Sequence, residues 1–202
     1  MQSIAVVVAL LTVADAVTDW TCVWSGRRRL HYLTKPLVMV GLMVLTALLS
    51  DGEAAARWIV VALFFGMLGD ISMIGSSPRR FLGGVALFFV GHLAYAAAFL
   101  ALGLDAPGWA WAGVAVALVL AIPMGRVLRG ARLMGGRPMM AALAAYSLVI
   151  ATMLVLGWLT GSVWIAAGAL VFVVSDTLIG LNLAEHGNAP PRLANVAVMV
   201  TY

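Results

Sequence analysis

The chain has 202 residues, 64% of them hydrophobic and only 10% charged, with a net charge of +4. Soluble domains run near half apolar and a quarter charged, so this scarcity of charge excludes a water-facing surface over most of the chain. A single cysteine, Cys22, excludes an internal disulfide and a cysteine-rich metal site, and it reads as a small buried hydrophobe.

The apolar residues fall in long blocks separated by short charged stretches, and a spanning helix needs about 20 mostly apolar residues. The blocks predict spans near 3–24, 36–50, 57–74, 81–102, 109–127, 139–158 and 162–184. An eighth is expected to begin near Arg192 and to be cut off at Tyr202. The first block looks briefly like a secretion signal, because Ala14-Asp15-Ala16 fits a small-x-small cleavage pattern. No Lys or Arg precedes it, and it runs on to Trp24, so it reads as the first helix. The second block is short. Pro36 suits the first turn of its helix, and the far end extends toward Gly52. Hydrocarbon offers no partner for backbone N–H and C=O groups, and period-2 alternation is absent, so the spans are helices. The expected fold is an all-α membrane protein, a single polytopic bundle of about eight transmembrane helices over residues 1–202. Its glycines, among them Gly66, Gly69, Gly83, Gly84 and Gly91, serve close helix packing.

Orientation follows from the basic residues. Arg27, Arg28, Arg29 and Lys35 follow the first span, Arg79 and Arg80 the third, and Arg126, Arg129, Arg132 and Arg137 the fifth. With Arg192, that puts eleven of the twelve basic residues on one side, Arg57 being the exception. That side is cytoplasmic, which places the N-terminus outside in a bacterial-type plasma membrane. The arginine runs need no nucleic acid to explain them.

A charged side chain inside hydrocarbon costs several kcal/mol, so it marks function by default. Asp15 and Asp19 in span one, Asp70 in span three, His92 in span four and Asp176 in span seven are such groups, and Lys35 sits at the inner mouth of span two. The aspartates all lie toward the inner ends of spans that run from outside to inside. Tyr95 is one turn from His92 on the same face, and Tyr146 is about two turns into span six. Four or five helices therefore aim polar groups at one internal cavity open to the cytoplasmic leaflet. The ordinary alternatives are that Asp19 is interfacial, that Asp15 glues two helices, and that His92 is a satisfied core histidine. Asp70 and Asp176 resist that treatment, because each follows a small residue (Gly69, Ser175) within an otherwise apolar helix. One membrane histidine and no HxxxH or HExxH pattern leave zinc without a site. No phosphate loop, GxSxG elbow or redox pair is present, and no cofactor is expected.

Several short motifs stand in a definite order: Thr34-Lys35-Pro36-Leu37, Gly69-Asp70, Phe81-Leu82-Gly83, His92-Leu93-Ala94-Tyr95, Tyr146 with Met153, and GALVFVVSDTLIGLN over 168–182. In that order they resemble the lysoplasmalogenase family of YhhN-like membrane proteins, over nearly the whole chain. Tyr202 matches the start of the last family motif, in which the tyrosine is followed by a glutamine. The resemblance implies hydrolysis of the vinyl ether bond of lysoplasmalogen, giving a fatty aldehyde and glycerophospho-ethanolamine or -choline, with a lysophospholipid as substrate and membrane lipids as surroundings.

Vinyl ethers hydrolyse by protonation at carbon, through an oxocarbenium ion to which water adds. Such a reaction needs a proton donor, negative charge near the cation and a placed water, a demand that glycosidases meet with two carboxylates. Asp70 and Asp176 are expected to divide these roles, with His92 sharing the proton or holding the ionised partner. Tyr146 and Asn182 are expected to orient water or substrate oxygens, with Tyr95, Ser175 and Tyr202 lining the site. Lys35, aided by Arg27, Arg28 and Arg29, is expected to hold the phosphate. Two rival readings use the same residues: a proton-coupled small-molecule transporter, and a lipid-binding protein without turnover.

Overall fold

The computed structural model describes residues 2–74 and 77–186, and among these it is all helix, with no strand. The helices are α1 (Gln2–Trp24), α2 (Arg28–Leu49), α3 (Ala54–Met73), α4 (Pro78–Leu102), α5 (Ala110–Ala121), α6 (Met124–Leu159) and α7 (Val163–His186). Six of them are long and apolar enough to cross a membrane, and α5 is apolar but short. The chain is therefore a multi-pass membrane protein, its many outward Leu, Val, Ile and Trp side chains suited to lipid. The expected eighth helix and Tyr202 lie outside the described residues.

Two segments depart from the sequence expectation. The second helix does not begin at Pro36. It starts at Arg28 and carries Pro36 within it. The extra turns, with Arg29, His31 and Thr34, are polar, so a search for apolar length misses them. Proline there removes one backbone donor, a loss that a helix mouth tolerates better than a helix in hydrocarbon.

The second departure is the stretch after α5, expected as a basic loop and found helical. The backbone of α6 breaks at Gly135 (φ −139°, ψ 15°) and Gly136 (φ 70°, ψ −159°). The Gly136 conformation is one that side chains resist, and Pro138 then opens the next limb. The break reverses the chain. Ser147 Oγ lies 3.1 Å from Met124 Sδ, whereas the ends of an unbroken helix over that stretch would stand roughly 34 Å apart. Val127 and Ala131 share one apolar cluster with Met139 and Leu143. On the other side of Pro123, Gly113 of α5 packs closely on Val155 and Trp158. So α5 and limb 124–134 together run antiparallel to limb 137–159. They make a broken helix of roughly 37 Å, long enough to cross, with Arg126, Arg129 and Arg132 toward its C-terminal end.

The helices follow one another in space. α1 packs on α2 alone among the described elements, α2 on α3, α3 on α4, α4 on α6, and α6 on α7. Close approach of α3 and α4 depends on missing side chains. A Cβ on Gly91 would sit 3.2 Å from the Ala62 carbonyl oxygen, and one on Gly84 3.2 Å from the Gly69 carbonyl. Small residues let membrane helices gain van der Waals contact where no hydrophobic force drives them together.

Candidate active site

Five helices of this series each present one polar side chain to a common region. They are Lys35 on α2, Asp70 on α3, His92 on α4, Tyr146 on α6 and Asp176 on α7. In hydrocarbon a lone charge is costly, and pairing is the means of keeping one there. Lys35 Nζ lies 2.6 Å from Asp70 Oδ1. The Tyr146 hydroxyl donates to Asp176 Oδ2 at 2.5 Å. The two pairs are within electrostatic reach of each other, with Asp70 and Lys35 both acting on Asp176.

His92, 1% exposed, is aimed by its own helix. Its Nδ1–H donates to the Phe88 carbonyl one turn back, at 2.6 Å. A carbonyl only accepts, so the proton sits on Nδ1 and the other nitrogen points elsewhere. That atom, Nε2, lies 3.9 Å from Asp176 Oδ2 and has no hydrogen bond within the described structure. The imidazole is wedged edge-on between Tyr146 and Phe172, with ring centroids at 5.3 and 4.9 Å. Gly69 fits the same scheme, since a Cβ there would meet the Phe88 ring at 2.8 Å.

The remaining sequence candidates lie around this cluster. Tyr95 packs its ring against Phe172 and Phe99 rather than against a carboxylate. Ser175 is fully buried beside Asp176. Asn182 is half-buried on α7, roughly 9 Å beyond Asp176 along the axis. Tyr202 is outside the described residues. A cavity of about 20 Å³ opens beside His92, lined by Tyr95, Phe172, Phe88, Gly66 and Gly91 among others. It has room for about one water, and neither Asp70 nor Asp176 lines it. The described residues hold no group of three or more His, Cys, Asp or Glu placed to bind a metal.

One polar cluster is absent from the sequence reading. Asp19 of α1, 4% exposed, accepts from His31 Nδ1 at 2.8 Å and from the Thr34 hydroxyl, both on α2. It therefore ties α1 to α2 rather than standing as an interfacial charge. The available signal was helical spacing: His31 stands one turn before Lys35, so the polar face of α2 continues past Pro36.

Known proteins give an independent comparison. No solved structure matches the chain. The lysoplasmalogenase TMEM86B of Sus scrofa is 34% identical over 173 residues, covering 84% of this chain and 69% of that protein. Residues 30–202 match the YhhN family, a segment that contains Lys35, Asp70, His92, Tyr146 and Asp176, and by that match the chain belongs to the YhhN family.

Proposed function

We propose that the chain hydrolyses the vinyl ether bond of lysoplasmalogen to a fatty aldehyde and a glycerophospho-ethanolamine or -choline. The observation that carries this reading is the pair of carboxylates, Asp70 and Asp176, on different helices, each fastened to a different partner. Family membership and the similarity to a lysoplasmalogenase support the same substrate class.

The partners divide the chemistry. Asp70 is ion-paired with the Lys35 ammonium, so it is the carboxylate that faces the oxocarbenium ion. Asp176 is bonded to the Tyr146 phenol and lies 3.9 Å from His92 Nε2 rather than against an ammonium, so it is assigned the proton. In the proposed reaction Asp176 protonates the vinyl carbon distal to oxygen, and positive charge develops at the carbon bearing oxygen. Asp70 stabilises that charge and takes a proton from the water that adds there. The hemiacetal collapses to aldehyde and alcohol, and the proton on Asp70 returns to Asp176. His92 Nε2 and the Tyr146 hydroxyl are the groups placed to carry it. The clustering of basic residues at one end, read as cytoplasmic, supports an N-terminus outside in a bacterial-type inner membrane, with the cluster in the inner half of the bilayer.

The test uses detergent-purified protein with an alkenyl lysophospholipid and, separately, its saturated alkyl ether twin. Free fatty aldehyde from the alkenyl lipid alone is expected. No aldehyde from folded protein overturns the proposal. Uptake of solute into vesicles with the lipid unaltered would instead favour transport.

A further inference from the structure

Lys35 is the sole lysine of the sequence, every other Lys/Arg position being arginine. Arginine would serve better if the position required only a permanent cation to grip a carboxylate or a phosphate, since its planar fork pairs with either in two hydrogen bonds. What lysine adds is chemistry: it can give up a proton and attack a carbonyl carbon, which arginine does not do in proteins. A base to take that proton is already in place, Asp70 Oδ1 at 2.6 Å. The lysine side chain is also largely shielded, 19% exposed, which helps to protect a water-sensitive bond. The lysine therefore stands against the carboxylate beside which, on the reading above, an aldehyde is formed.

We propose that Lys35 is a covalent capture site for long-chain aldehydes, its Nζ condensing reversibly with the aldehyde generated beside Asp70. This rests on the hydrolase reading for the source of the aldehyde, but the chemistry belongs to Lys35 itself. The ammonium passes a proton to Asp70. The neutral amine then forms a bond to the carbonyl carbon, and the carbonyl oxygen takes the proton back to give a carbinolamine. Loss of that hydroxyl as water leaves a protonated imine. Aldehyde plus ammonium thus become iminium plus water, with one positive charge on each side and no oxidant or reductant. Hydrolysis reverses the step, so the lysine holds a reactive aldehyde until it is released.

The experiment supplies hexadecanal to the full chain in detergent, with cyanoborohydride to reduce any imine to a stable secondary amine, and locates the adduct by peptide mass spectrometry. The chain's α-amino group is an internal measure of unassisted labelling, and Lys35→Arg is the blank. A positioned amine should react about ten-fold or more faster than an unpositioned one, so Lys35 is expected to carry at least that excess. Asp70→Asn should remove the excess while leaving the α-amino label unchanged. Adding the saturated alkyl ether lysophospholipid, which would occupy the site without reacting, should protect Lys35 in the unmutated protein. Labelling of Lys35 no greater than that of the α-amino group overturns the proposal. So does labelling that the alkyl ether lipid leaves untouched, and this arm needs no variant to fold. Because the aldehyde is supplied, the result is separate from turnover: capture without aldehyde release from the alkenyl lipid would sink the hydrolase reading alone.

Discussion

At the residue scale the two carboxylates differ in what they touch, and that difference is testable. Asp70→Asn and Asp176→Asn should each lower aldehyde release by between about a hundred- and ten-thousand-fold, the usual range for a lost general acid or base. An intact melting profile must accompany the loss. Normal turnover in either variant would remove the two-carboxylate scheme. Tyr146→Phe deletes one hydrogen bond to Asp176. A bond between a phenol and a protonated carboxyl contributes about 0.5–1.5 kcal/mol, so turnover should fall roughly two- to ten-fold. Asp70, His92, Tyr146 and Asp176 were legible in the sequence because a titratable or hydroxylated group in an apolar run stands out against its background, and Lys35 because it stands at the mouth of such a run. What touches what was not legible. Nothing in spacing pairs Lys35 with Asp70, or puts Phe172 and Tyr146 on either side of His92. His31 was passed over because it lies in a polar stretch, where a polar residue gives no contrast.

At the element scale, α1, α3, α4 and α7 were legible to within a few residues, because hydropathy reports where hydrocarbon begins. It reports nothing about helix that continues outside the hydrocarbon. That is why the first turns of α2 and the arginine-bearing limb 124–134 read as loops. The reversal at Gly135–Gly136 gives a direct check. Gly136→Ala forces a side chain into a backbone region at φ 70°, at a cost of about 1–3 kcal/mol. A lowered melting temperature in detergent is expected, with unchanged stability arguing against the reversal. The α3–α4 contact gives a second. Gly91→Val inserts carbon where only 3.2 Å separates an added Cβ from the Ala62 carbonyl oxygen. Overpacking of this kind costs typically about 1–3 kcal/mol. Because α3 bears Asp70 and α4 bears His92, turnover should fall with stability in that variant.

At the scale of the whole molecule, alternate ends of the crossings carry the basic residues, and the reversal at Gly135–Gly136 keeps that alternation consistent. Residues Arg27 and Arg29, Arg79 and Arg80, and the limb bearing Arg126, Arg129 and Arg132 all gather at one end. Asp51, Glu53 and Asp105 stand at the other. Cys22 is buried, so single cysteines introduced elsewhere report cleanly. A membrane-impermeant maleimide should label Asp51→Cys in intact cells, and Arg132→Cys only after the membrane is permeabilised. The opposite pattern would invert the orientation.

The convergence of one polar residue from each of five helices also has a history, written in the order of synthesis. Lys35 and Asp70 belong to neighbouring helices, so the two charges can neutralise each other as soon as α3 leaves the insertion machinery. His92 enters next with its ring already bonded to its own backbone, and Tyr146 follows as a phenol. Asp176 is the last of the five to emerge, and the hydroxyl that receives it has been in place since α6. Each costly group therefore meets its partner on arrival, and the constellation closes only when α7 has been made. A nascent chain stalled before α7 would keep Lys35 and Asp70 paired but lack Asp176, so the constellation stays incomplete until the bundle around it exists.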